Sequence, residues 1–257
     1  MTVYDWQNTT FEIKQSGVRM GILPVAASEQ HGSHLPVGTD VVIMDAIARR
    51  VAESLSSDVF LLPAMPLGTS ALHGGTAGTV WLGEETLYQV VYDVVESMYE
   101  HDIDYMVVIN NHGGANETTV RPRGNYIVKT AVRQLNYDYP DKSSIWVQPL
   151  TVAKSDLQRI FESAMEEIHA GEVETSIMLH LAADQVKGSG EDHVPSLTKE
   201  YLDYVPFEKI STTGVWGRPS LASAEKGAKA FDAAVQATVK YIEDSFMKID
   251  RMKALRH

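Results

Sequence analysis

Hydrophobic residues along this chain gather in short runs, separated by longer stretches in which they recur every three or four positions. Four of the runs, residues 19–25, 59–65, 105–110 and 145–150, are rich in Val, Ile, Leu or aromatic side chains and are punctuated by Pro, Gly or Asn, the pattern of buried strands. Between them the spacing turns helical. Residues 40–56 place Val42, Ile43, Ala46, Ile47 and Val51 on one face, with Asp40 as a good N-cap, and residues 84–101 and 117–135 are comparable. This alternation predicts βαβ units and a mostly parallel sheet covered by helices. Beyond Leu150 the order loosens; a helix is expected over 172–183, a polar, Gly-containing stretch over 187–193, and an alanine-rich helix over 222–247. No repeat, low-complexity tract or linker divides the chain, so a single domain over 1–257 is expected.

Composition narrows the function classes. A formal charge of −12 with no basic stretch argues against a nucleic-acid or anionic-membrane partner, because nothing is present to release counterions. The absence of cysteine removes disulfides, thiolate metal sites and a cysteine nucleophile, and fits a reducing cytoplasm. The first residues lack the basic and apolar regions of a signal peptide, and no apolar run reaches membrane-spanning length, so a cytoplasmic protein acting on a small molecule is expected.

The candidate chemistry lies in the predicted post-strand loops, where open α/β sheets form their sites. Residues 29–40 carry Glu29, His31, His34 and Asp40, a mixed carboxylate and imidazole set that suits a borderline divalent ion. Glu29 and His31 stand two apart, so an extended segment points both the same way. Asp40, at a helix start, can offer both oxygens; alone it would be a plain N-cap, and its neighbours make it a ligand candidate. His34 suits hydrogen bonding or the pocket wall. After the third run, His112 is followed by Gly113 and Gly114, which let backbone approach a small ligand or ion. His73 stands beside glycines in another loop, where lining a pocket and shaping the loop are equally good readings. Farther along, His169 precedes a helix opening with Glu172 and Glu174, which are two apart and cannot share a face. A first-turn carboxylate also gains from the helix dipole, so one of the pair can be structural. There is no G-x-S-x-G elbow, no Walker A loop, no dinucleotide fingerprint after the first strand and no H-E-x-x-H helix.

Three motifs then match in order and spacing: Glu29-Gln-His31-Gly-x-His34-Leu-Pro-x-Gly-Thr-Asp40, Asn-x-His112-Gly-Gly-x-Asn, and His169-Ala-Gly-Glu172-x-Glu174-Thr-Ser. Together with Gly217-x-Pro219 and residues 222–227, they make the chain resemble the creatininase (creatinine amidohydrolase) superfamily over nearly its whole length. The resemblance implies a three-layer αβα sandwich with a mostly parallel sheet and a site for two divalent ions, Zn and/or Mn, with Fe also compatible. It further implies a homohexamer built as a trimer of dimers. Glu29 and His112 would hold one metal, His31 the other, and Asp40 would bridge them. Creatininase itself carries a Glu two residues after the histidine matched by His112; this chain has Gly114 there, and Glu172 is the replacement ligand that the resemblance implies. The departure argues against creatinine as substrate.

The expected reaction is hydrolysis of a small amide, cyclic or formyl, by metal-activated water, with His169 moving a proton to the leaving nitrogen and Glu174 orienting it. His34, His73, Gly113 and Gly114 are expected to face substrate. Two alternatives use the same residues: C–C cleavage of an oxidised cyclitol, and a non-catalytic metal- or ligand-binding subunit.

Overall fold

The computed structural model describes residues 1–110 and 124–255. In chain order the elements are β1 (Val3–Asp5), α1 (Thr10–Ser16), β2 (Met20–Val25), α2 (Thr39–Ser54), β3 (Val59–Leu61), α3 (Glu84–Tyr99), β4 (Tyr105–Asn110), α4 (Gly124–Asp138), β5 (Ser143–Val147), α5 (Pro149–Val152), α6 (Lys154–Ile160), α7 (Glu172–Leu181), α8 (Phe207–Ile210) and α9 (Ala224–Ala254). The strands form one sheet in the order β1-β3-β2-β4-β5, and every pair is parallel. Among the described residues, no helix is long and apolar enough to cross a membrane.

Alternation along the central strands builds the three layers. Ile22, Val107 and Ile109 point to one face and pack with α2, α6, α7 and α9. Leu23, Val25, Met106 and Val108 point to the other and pack with α3 and α4. Both faces of a parallel sheet are therefore buried, which is why these strands read as continuous apolar runs. The stripe on α9 shows the helical counterpart: Gly227, Ala230, Phe231, Ala234, Val235, Thr238, Ile242 and Phe246 recur at three- and four-residue spacing.

Several boundaries differ from the hydrophobic pattern for local reasons. The run 59–65 is strand only to Leu61, since Pro63 removes a backbone donor. The run 145–150 begins two residues earlier, at Ser143, and is cut by Pro149 at the first position of α5. The loosely ordered region after Leu150 holds the short helices α5 and α6. The helix expected over 117–135 is seen from Gly124 to Asp138, its expected start lying outside the described residues. Helix α2 starts at Thr39 with Gly38 as its N-cap, so Asp40 sits inside the first turn with its carboxylate uncommitted to capping.

Topology then positions the site. Strands β2 and β4 are neighbours, yet the helix after β2 lies on one face and the helix after β4 on the other. Their carboxyl ends flank the crevice where open α/β sheets bind ligands. Asn110 closes β4 there, buried, and donates from Nδ2 to the carbonyl of Val25, 3.0 Å away.

Helices α7 and α9 pack with almost no clearance. A Cβ on Gly227 would lie 1.9 Å from the carbonyl oxygen of Ser176, a backbone atom that cannot swing aside. Gly227→Ala is expected to destabilise the fold by roughly 3 kcal/mol, at the upper end of ordinary overpacking. A denaturant midpoint unchanged from the parent would show that the helices separate at little cost.

Candidate metal centre

The loop leaving β2 is held from both sides before it reaches α2. Glu29 N–H donates to Val37 O at 3.0 Å, Gln30 N–H to Thr79 Oγ1 at 3.0 Å, and Val80 N–H to Ser28 O at 2.9 Å. Gly32, at φ +66°, turns the chain where a Cβ would meet Val215 at 2.8 Å. Glu29 and His31 are buried beneath this turn, and the first turn of α2 brings Asp40 beside them.

The two nitrogens of His31 have different surroundings. Its Nδ1 lies 3.0 Å from the carbonyl of Glu29, which can only accept, so Nδ1 carries the proton. Nε2 is buried with no hydrogen-bond partner among the described residues and faces Asp40 Oδ1 at 3.7 Å and Glu174 Oε2 at 3.8 Å. His169 is fixed by the same logic: Nε2 donates to the carbonyl of Gln30 at 2.6 Å, leaving Nδ1 as the lone-pair nitrogen, 3.8 Å from Glu29 Oε1. The His73 ring lies 4.5 Å from that of His169 between centroids, and its Nε2 is 3.6 Å from Glu29 Oε1. Among the described residues, donor atoms converge within 4.8 Å in three overlapping sets: Glu29, His31 and Asp40; His31, His169 and Glu174; and Glu29, His73 and His169.

Electrostatics follow from that crowding. Burial disfavours protonation of His31, but the nearby carboxylate of Asp40, with the charges of Glu174 and Glu29 behind it, overrides burial and pushes its pKa up to about 10. Burial raises Glu174 to about 7 against the pull of His31. His169 is driven well below the usual histidine range by burial and then by the charges of His31 and His73. A pocket that draws a second proton onto His31 offers the same negative potential to a divalent cation, and its mixed N/O donors suit Zn, Mn or Fe.

Glu172 is not brought to this cluster. Its carboxylate is fully buried elsewhere, with Oε2 accepting from Ser163 N–H and Oγ–H at 2.8 Å each and Oε1 accepting from Lys226 Nζ at 2.5 Å. Burial alone would raise its pKa; Lys226 and Ser163 hold it below the usual value. Glu174, two residues on, reaches the cluster instead, with Oε2 also accepting from Ala170 N–H at 2.6 Å. His34 is buried but ties the loop to α7, through Nε2 and Thr175 Oγ1 at 2.9 Å, and packs where Cβ atoms on Gly32 and Gly190 would collide with it. His112, Gly113 and Gly114 lie outside the described residues.

The hydrophobic pattern also leaves some participants unannounced. Phe207, from the first turn of α8, lays its ring 4.7 Å from His73 and 5.3 Å from His169. Trp216 pairs with His169 through main-chain bonds, 2.8 Å from Trp216 N–H to His169 O and 3.1 Å in return. Glu167 caps α7 from six residues upstream, accepting from Val173 N–H at 3.0 and 2.8 Å; burial and the charge of Glu174 raise it to about 8. A glutamate a few residues before a helix start was the available signal for Glu167. None existed for Phe207.

Comparison with known proteins agrees with this geometry. The family model described as "Creatininase: Creatinine amidohydrolase" matches residues 5–242. The chain is 30% identical over 226 residues to the "Mycofactocin precursor peptide peptidase" of Mycolicibacterium smegmatis, covering 84% of this chain and 81% of that one. It is 28% identical over 239 residues to "Creatinine amidohydrolase" of Pseudomonas putida, covering 88% and 89%. Among solved structures, a mutant creatininase complexed with creatine superposes with a TM-score of 0.77 at 25% identity, over 94% of this chain and 98% of that one. Structures of the same fold include one described as a Zn-Zn type and one as "Creatininase Mn".

The Glu172–Lys226 link makes a prediction independent of any metal. Lys226→Met, measured on chelator-treated protein, is expected to lower stability by about 3 kcal/mol, the lower end for breaking a buried pair because Lys226 keeps some solvent contact. Glu172 has a depressed folded-state pKa, so the link stabilises above the ordinary glutamate value of 4.5 and is lost as pH falls through the folded value. The gap between parent and variant should therefore narrow in acid. A gap independent of pH would mean that Lys226 contributes packing alone.

Proposed function

The chain belongs to the creatinine amidohydrolase (creatininase) family, and we propose that it is a hydrolase using water and two divalent ions to cleave an amide C–N bond. The observation that carries this reading is the buried Nε2 of His31, which has no hydrogen bond among the described residues and faces Asp40 and Glu174, beside Glu29. Glu29, His31, Asp40 and Glu174 would hold the ions, with Asp40 shared, and the family resemblance adds His112. When bound, such ions make a water nucleophilic near neutral pH and polarise a carbonyl oxygen.

The chain's own residues supply the rest. His169 presents its unprotonated Nδ1 toward Glu29, placed to take a proton from the attacking water and return it to the leaving nitrogen. Its orientation is enforced by the Gln30 carbonyl, by the main-chain pairing with Trp216 and by the Phe207 ring packed edge-on against it. Glu174 is steered by the Ala170 N–H, and Ala170 holds a φ of +52°, a strained conformation that fixes this donor.

The substrate we propose is a small amide, cyclic or formyl, and Gly114 in place of creatininase's glutamate argues against creatinine itself. A second reading, cleavage of a peptide bond, is favoured by the 30% identity to a protein named as a precursor peptide peptidase. The proposal extends to a homohexamer, as the family resemblance implies, and to a cytoplasmic setting, which the absence of cysteine fits.

Chelation should abolish hydrolysis, and Zn or Mn should restore it. Asp40→Ala is expected to lose bound metal and about a thousandfold in kcat, roughly 4 kcal/mol of transition-state stabilisation. Glu174→Gln should lose metal while Glu172→Gln retains it. Assays on a panel of lactams, formamides and short peptides, with metal content measured alongside, decide the substrate class. Full activity and two ions in Asp40→Ala would sink the ligand assignment.

A further inference from the structure

The three clustered imidazoles have different hydrogen-bond partners, and these divide their duties. His31 donates from Nδ1 and His169 from Nε2, each to a carbonyl. His73 is held by a side chain instead: Gln30 Nε2 lies 2.9 Å from His73 Nδ1. The orientation of that amide is not arbitrary. Gly32 N–H, which can only donate, points at Gln30 Oε1 from 2.9 Å, so the other end of the amide must be the NH2 group. The carbonyl end is accommodated because position 214 is glycine at φ +74°; a Cβ there would lie 2.2 Å from Gln30 Oε1. Gln30 therefore donates to His73 Nδ1, which must be the lone-pair nitrogen, and the ring proton of a neutral His73 resides on Nε2. That nitrogen faces Glu29 Oε1 at 3.6 Å.

We infer that His73 is a positioning residue: a neutral imidazole whose Nε2–H is directed at the Glu29 carboxylate, set in that tautomer by Gln30, and not itself a metal ligand. Resting on the function proposed above, this removes one of the three imidazoles from the candidate ligand set. A His73 that ligated through Nε2 would need its proton on Nδ1, where it would confront the Gln30 NH2, donor against donor. Outer partners of this kind commonly orient metal-binding carboxylates. The 3.6 Å separation exceeds a formed hydrogen bond, and such contacts often tighten only in the loaded site. The buried setting, under the Phe207 ring, shields the contact from water.

The direct test is a long-range 1H–15N correlation spectrum of histidine-labelled protein, both metal-free and zinc-loaded, with His73 assigned by the signal lost in His73→Gln. The Nε2-protonated tautomer is expected in both forms, and Gln30→Glu, which replaces the donor with an acceptor, should move the proton to Nδ1. A His73 protonated on Nδ1 in the parent protein, or one whose Nε2 signal shifts as a zinc ligand, overturns the assignment. Kinetically, His73→Leu should weaken metal binding or kcat by 10–100-fold. His73→Gln, whose amide can place an N–H near the same point, should recover most of that loss; equal losses in both variants would count against positioning through Nε2. Because the tautomer is read in metal-free protein, its failure is separable from failure of the hydrolase reading, which metal content and turnover decide.

Discussion

Several carboxylates crowded under one sheet edge, Glu29 buried and the others half-buried, are the constraint around which this molecule is organised. Glu29, Asp40 and Glu174 all reach the same imidazole, with Glu167 close behind Glu174. In a low-dielectric pocket such a group repels itself strongly unless positive charge is present. The raised values of Glu174 and Glu167 and the protonated state favoured for His31 are three expressions of that demand. Much of the surrounding architecture holds the acids in place against it: the turn at Gly32, the first turn of α2, and the strained Ala170 that aims a backbone donor.

The start of α7 shows how the fold sends two like acids into different surroundings. Glu172 and Glu174 diverge by geometry alone, since residues two apart on a helix face different ways. One finds serine and lysine partners in the protein interior and becomes a neutralised, structural group. The other meets His31 and Ala170 N–H in the pocket. Their chemical identity is the same, and only their neighbours distinguish them.

That distinction marks the boundary of what the sequence makes legible. The apolar runs locate β2 and β4 almost to the residue, because a doubly covered parallel strand leaves an unbroken hydrophobic signature. Glu29, His31 and Asp40 are readable because they lie within twelve residues, and His169 because it stands in a recognisable motif. Three-residue β1 and the four-residue helices α5 and α8 are too short for any period to emerge. The choice between Glu172 and Glu174 depends on Lys226, more than fifty residues away, and the approach of Phe207 to His73 depends on tertiary packing of a segment with no motif. Gln30 illustrates a subtler limit. Its position between two ligand candidates is plain, but the direction of its amide is set by glycines at 32 and 214.

Lys226 also imposes an order on biosynthesis. It lies on α9, whereas the glutamate it neutralises opens α7, the helix that presents Glu174 to the pocket. While a nascent chain has emerged only as far as α7, Glu172 has no lysine to pair with and the apolar face of α7 has no α9 to pack against. Seating α7 at that stage would bury an uncompensated charge. The parallel sheet can begin to assemble from the earlier segments, but the acidic pocket closes only after α9 has been translated and has docked. On the function proposed above, cation uptake then belongs after the docking of α9 and not before it.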